Sequence, residues 1–182
     1  MSPNHTSALS LSVLSLAIGA SIATSPPITF QATQSVPLED INLYSDVPSH
    51  PITVTIDADP VLQQDSDQYW HLNFFLDVEN RTGDLVNLSL WEIADPWSGG
   101  ELPETAVLID EAQVRSQSDE TPTRVTLSDW DIPQFGVPTT FVLVADAEMN
   151  EIDLYISGEV TMITESWNPD IPNEASFFMT VE

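Results

Sequence analysis

From Ile52 onward the chain alternates apolar and polar residues with a period of two, the pattern of strands that bury one face. Ile52, Val54, Ile56 and Ala58 share a face in ITVTIDA, and Trp70, Leu72, Phe74, Leu76 and Val78 share one in YWHLNFFLDV. Tyr69, His71, Asn73, Phe75 and Asp77 fall opposite the second stripe. In LVNLSLWEI, Val86, Leu88 and Leu90 line one face, with Trp91 and Ile93 on the other. Further strands are expected in TAVLIDEAQV, RVTLSDWDI, TTFVLVADA, EIDLYISGEVTMI and ASFFMTVE. FVLVA is apolar on both faces, which suits a central strand.

The turn signal Asn80-Arg-Thr-Gly83 between two alternating runs predicts a hairpin, with Gly83 supplying a positive φ. A second hairpin is expected where Met149-Asn150 separates TTFVLVADA from EIDLYIS. Gly158 interrupts the alternation and suggests a bulge. Thr105 to Gln117 has the composition for a helical turn but no 3.6-residue stripe. The fold class read from this is all-β: an antiparallel β-sandwich, jelly-roll or immunoglobulin-like, preceded by an apolar N-terminal segment.

That segment is a separate object, because every acidic residue lies at or after Glu39. Ala8 to Ala23 is apolar and small, shorter than the roughly 20 residues of a spanning helix, and is followed by Pro26-Pro27. Residues 1–23 read as a secretory signal peptide, although a basic n-region is missing; a membrane anchor or a first strand of the fold are the alternatives. Residues 24–50 hold four prolines and read as a linker or edge strand, and residues 51–182 as the acidic sandwich domain.

Composition narrows the chemistry. The 182 residues carry 29 Asp+Glu against 3 Lys+Arg, a formal charge of −26, and no cysteine. The three cations are Arg81, Arg115 and Arg124. Nucleic acid and anionic membrane surfaces are excluded as partners, since both are bound through Lys and Arg. Disulfides and thiolate metal sites need cysteine. Leu, Ile, Val and Phe make up about 29% of the chain, above the roughly 20% below which chains fail to collapse, so a folded domain is expected. Such charge density suits saline or divalent-rich surroundings, because the Debye length falls to about 3 Å at 1 M salt.

Candidate sites follow from residue type. A nucleophilic triad could draw its base only from His5, His50 and His71, none in a nucleophile motif, and a carboxylate pair for glycoside hydrolysis carries no specificity among 29 acids, so no enzyme is expected. Hard oxygen ligands for Ca²⁺ are offered by Asp57, Asp59, Asp65 and Asp67 around one loop, with Asp129, Asp131, Asp146 and Glu148 at other turns. Solvated surface acids are the plainer reading, and no obligate cofactor is implied. Trp97, Trp130 and Trp167 stand in loops beside acids and prolines, where an indole can stack on a sugar ring or fold back to plug the sandwich end. Asn80 and Asn87 head glycosylation sequons, Asn80 in the expected hairpin turn being favoured. The expectation is a secreted or cell-surface structural subunit of an appendage, filament or matrix, associating with itself or other surface subunits. The alternative is a carbohydrate-binding module, recognising polysaccharide through the three loop tryptophans with Ca²⁺ shaping the loops.

Overall fold

A computed structural model describes residues 27–82, 85–94, 97, 99–115, 121–131, 133–147 and 151–182. The expected signal segment 1–23, Gly83, Glu148 and the Met149-Asn150 turn lie outside the described residues.

The described residues form ten strands and one short helix: β1 (Phe30–Pro37), β2 (Ile41–Tyr44), β3 (Ser49–Ala58), α1 (Pro60–Gln63), β4 (Gln68–Asn80), β5 (Leu85–Ile93), β6 (Val107–Arg115), β7 (Thr123–Asp129), β8 (Thr139–Ala147), β9 (Asp153–Ser166) and β10 (Phe177–Val181). All pairings are antiparallel. One sheet, A, runs β1-β9-β4-β7, with β2 also paired to β9; the other, B, runs β10-β3-β8-β5-β6. The orders 2-9-4-7 and 3-8-5-6 are those of a jelly roll, in which a pair of strands is wound around the barrel axis so that the chain keeps switching sheets. Of the two sandwich topologies expected, this is the jelly roll.

That winding overturns both expected hairpins. β4 lies in sheet A and β5 in sheet B, while β8 lies in sheet B and β9 in sheet A, so neither pair is hydrogen-bonded. Alternation specifies which face a strand buries; it carries no information about which strand lies beside it. The strands on either side of each short connection therefore lie in different sheets. The strand expected in TAVLIDEAQV forms as β6 (Val107–Arg115) in place of the helical turn its composition also allowed, and its edge position explains its weak stripe.

The stripes themselves hold. Trp70, Phe74, Leu76 and Val78 of β4 meet Ile52, Val54 and Ile56 of β3 in one buried cluster with Val86, Leu88 and Leu90 of β5. Trp70 is 1% exposed, edge-on to Phe135 and Phe177. β8 is central in its sheet, and Val142 on its outer side is buried between Pro51 and Trp91 of the neighbouring strands. Pro51 is tolerated in β3 because the paired stretch of β10 reaches only to Val54, so no strand meets the missing N–H. Gly158 is needed for close approach rather than for a bulge against β4, whose register with β9 is unbroken. A Cβ there would collide with the Phe75 carbonyl oxygen.

Both flanks of the sandwich are tied by side chains that imitate a strand. Gln34 of β1 donates its amide to the Met179 carbonyl (3.2 Å) and accepts from the Met179 N–H (2.7 Å), satisfying the open side of β10. On the other flank Asp110 of β6 accepts the outward N–H of Ser128 in β7 (3.0 Å). Occupied edges of this kind discourage unwanted strand addition.

Candidate ligand-binding rim

β7 pairs with β4 so that Asp129 stands opposite Leu72 and Ser128 opposite Asn73. Leu72 faces the core, so Asp129 turns toward the gap between the sheets, while Trp130, the next residue, lies on the outer face of sheet A. There the polar-side residues of β4 await it. Trp130 stacks on His71 with ring centroids 3.7 Å apart and planes 21° from parallel, and Tyr69 closes on it at 5.6 Å in a tilted arrangement. Trp130 nevertheless remains 59% exposed. The platform is braced from below: Ser128 Oγ donates to Asn73 Oδ1 (2.8 Å), and Asn73 Nδ2 lies 3.5 Å from His71 Nδ1. Burial holds the His71 imidazole below its ordinary pKa, against the opposing pull of Asp129. Burial and then the charge of Glu165 raise the Tyr69 phenol.

On the inner side of the same rim, a cleft of about 420 Å³ opens between the sheets. Val54, Ile56, Leu72, Phe141 and Met162 form apolar walls, and Glu92, Asp129 and Asp131 bring three carboxylates to it. Burial pushes the Asp129 carboxyl up, with the charge of Asp131 adding to it and the N–H groups of Asp131 and Trp130 offsetting part. Glu92 is pushed up by burial and then by Asp129 and Asp131. No Lys or Arg lines this cleft among the described residues. Arg81 pairs with Glu79 (3.0 Å) and Arg124 approaches Asp77 (4.0 Å), each also lying over an aromatic ring, Tyr155 and Phe75 respectively.

The three loop tryptophans are not gathered. Trp97 lies over sheet B, lining a trough with Val47, Pro48, Pro51 and Val144, and points its indole N–H at the Glu101 carbonyl (3.4 Å). Trp167 is half-buried and donates its backbone N–H to the Asp67 carbonyl (3.0 Å). Only Trp130 of the three joins an aromatic cluster among the described residues. Tyr69 and His71 were visible as the polar side of a stripe, but the β4–β7 pairing that delivers Trp130 to them has no local signature.

The aspartates expected around the β3–β4 connection have other partners. Asp65 is 9% exposed and accepts from Ser166 Oγ (2.5 Å), Asn168 Nδ2 (3.1 Å) and the Asp67 N–H (3.2 Å). Burial alone would raise its carboxyl; these donors outweigh it and hold the pKa below the ordinary aspartate value. Asp59 accepts the Ser176 N–H (2.7 Å). Asp57 and Asp67 are exposed. A calcium ion would have to displace the donors on Asp59 and Asp65, and no three acid or imidazole side chains are grouped to hold a metal among the described residues. Asn80 is 8% exposed, its Nδ2 donating to the Val114 carbonyl (3.2 Å) and its Oδ1 accepting from Thr82 Oγ1 (2.7 Å). Asn87 is exposed in mid-β5, so the folded chain presents Asn87 rather than Asn80.

No protein-family model matches the sequence, and no curated relative matches it. Among solved structures, that of the infectious bursal disease virus Gx strain is similar over 83% of this chain, at 8% identity and a TM-score of 0.32. This chain spans about a third of that one, 35% of its length.

Proposed function

We propose that this chain is a non-catalytic, exported jelly-roll module whose working surface is the Trp130 platform, and that the platform stacks a sugar ring of an extracellular polysaccharide. One observation carries the reading: an indole that is 59% exposed although its other face is held flat against His71. Leaving that much aromatic surface in water forfeits burial worth about 25 cal/mol per Å², and a rigid ring set beside acceptors is the arrangement a hydroxylated ring needs. Export is inferred from the apolar N-terminal segment, and a saline exterior from the charge of −26.

The test is tryptophan fluorescence against a panel of soluble neutral glycans. Quenching that disappears in Trp130→Ala and persists in Trp97→Ala and Trp167→Ala supports the reading; unchanged emission across the panel contradicts it.

A second reading is a structural subunit of a surface layer, filament or matrix. It is favoured by Val107 and Leu108, which are 57% and 43% exposed side by side on edge strand β6. Sedimentation in concentrated salt separates the two: a concentration-dependent oligomer lost in Val107→Ser/Leu108→Ser supports assembly through β6, and a monomer at all concentrations counts against it.

A further inference from the structure

We propose that the cleft between the sheets, behind Asp129 and Asp131, binds an organic ammonium ion with an apolar body. This goes beyond the sugar platform, which lies on the other side of the rim.

The carboxylates of the cleft lack matching positive charge among the described residues. A carboxylate withdrawn from water is costly unless a cation or several donors replace its hydration. Asp65, elsewhere in this molecule, has such donors. Glu92, Asp129 and Asp131 share a partly enclosed cleft in which Asp129 keeps only backbone N–H donors. The group nearest to lending positive charge is His71, and burial keeps its imidazole low, so near neutral pH it contributes little. Among the described residues no cationic side chain lines the cleft to supply the opposite charge.

Three kinds of cation could bring it. Among the described residues no guanidinium of this chain lines the cleft: Arg81 and Arg124 are engaged along β4, and Arg115 ends β6 where its backbone pairs with Leu85. A bare metal ion needs its oxygens converging at 2.3–2.6 Å for Ca²⁺, and the three carboxylates are not grouped for that. An ammonium group makes up to three diverging hydrogen bonds, so it suits acceptors that are spread apart. The remaining surface of the cleft then selects the rest of the ligand. Val54, Ile56, Leu72, Phe141 and Met162 offer hydrocarbon walls, and about 420 Å³ lies in the range of small-molecule clefts. Apolar walls with carboxylates on one side complement a protonated amine on an alkyl or aryl body.

The experiment compares phenethylammonium with phenethyl alcohol, which has the same apolar body and no charge, by calorimetric titration of the full chain at pH 7. A background of 1 M NaCl reduces the Debye length to about 3 Å, so diffuse attraction by the acidic surface is suppressed. The expected result is that the amine binds about tenfold more tightly than the alcohol, the advantage of a charge-assisted hydrogen bond. That preference should vanish in Glu92→Gln/Asp129→Asn, whose folding is checked by its thermal melt and which removes repulsion rather than packing. Equal binding of amine and alcohol, an amine preference that survives the double substitution, or no binding of either would each overturn the proposal. Trp130→Ala keeps the two readings apart: it should abolish glycan quenching and leave amine binding within about twofold.

Discussion

Two carboxylate settings within one jelly roll behave in opposite ways. At the junction of α1 and β9, Asp65 is almost fully buried, yet donors from Ser166, Asn168 and Asp67 hold its pKa below the ordinary value. At the cleft behind β7, Asp129 and Glu92 are partly enclosed, and burial with few donors raises their pKa values. Donors decide: a buried carboxylate that receives several hydrogen bonds gains more than burial costs it, whereas one facing hydrocarbon and other carboxylates does not. The first setting is a latch that fixes the loop before β4 to the end of β9. The second is charge held ready for something that is not part of the chain.

The comparison can be broken at its strongest point first. Asp65→Ala leaves three donors without their acceptor and should destabilise the fold by about 3 kcal/mol, read as a lower urea midpoint. Ser166→Ala removes one charge-assisted bond and should cost about 1.5 kcal/mol in the same measurement. At the cleft the sign reverses. Glu92→Gln/Asp129→Asn should stabilise the protein at pH 7 by about 1 kcal/mol after allowance for screening at the mouth, seen as a higher melting temperature. A loss of stability there would mean that the carboxylates already have partners.

The pH dependence sharpens the contrast. Asp129 and Glu92 have folded pKa values above their unfolded ones, so the folded chain binds protons first. Their penalty is absent below the ordinary carboxylate pKa of about 4 and grows as pH rises through the folded values. Asp65 is the opposite case: its stabilisation is present above about 3.9 and is lost as pH falls through its lower folded value. Lowering pH from 7 toward about 5 should therefore shrink the advantage of the cleft double variant, by a few tenths of a kcal/mol, while Asp65→Ala stays equally impaired. Thermal melts of the three proteins across that range check both statements.

What could be read from the sequence follows the same division between local and distant causes. The faces of β3 and β4 were legible because a period of two is imposed by the backbone of each strand alone: Trp70, Leu72 and Phe74 had to point one way and Tyr69 and His71 the other. The partners were not. Asn80-Arg-Thr-Gly carries the residues of a tight turn, yet the chain uses that connection to cross between sheets, and only the burial of both faces together decides between those outcomes. The aspartates show the same limit of local reading. Asp65 and Asp67 looked like a loop pair for calcium, but the donors that claim Asp65 come from Ser166 and Asn168, a hundred residues away in the chain. Asn80 looked exposed because turns are exposed; its amide is instead held by the Val114 carbonyl of β6. Trp130 was visible as a loop indole between two acids, and its role on the platform depends on β4 lying beside β7.

The most direct test of this account is a carbon-detected titration of the side-chain carboxyls in the intact protein, following Asp65, Glu92 and Asp129 together. The account predicts that Asp65 titrates below the ordinary aspartate value while Glu92 and Asp129 titrate above theirs. Glu92 and Asp129 at or below their ordinary values, or Asp65 above its own, would contradict it.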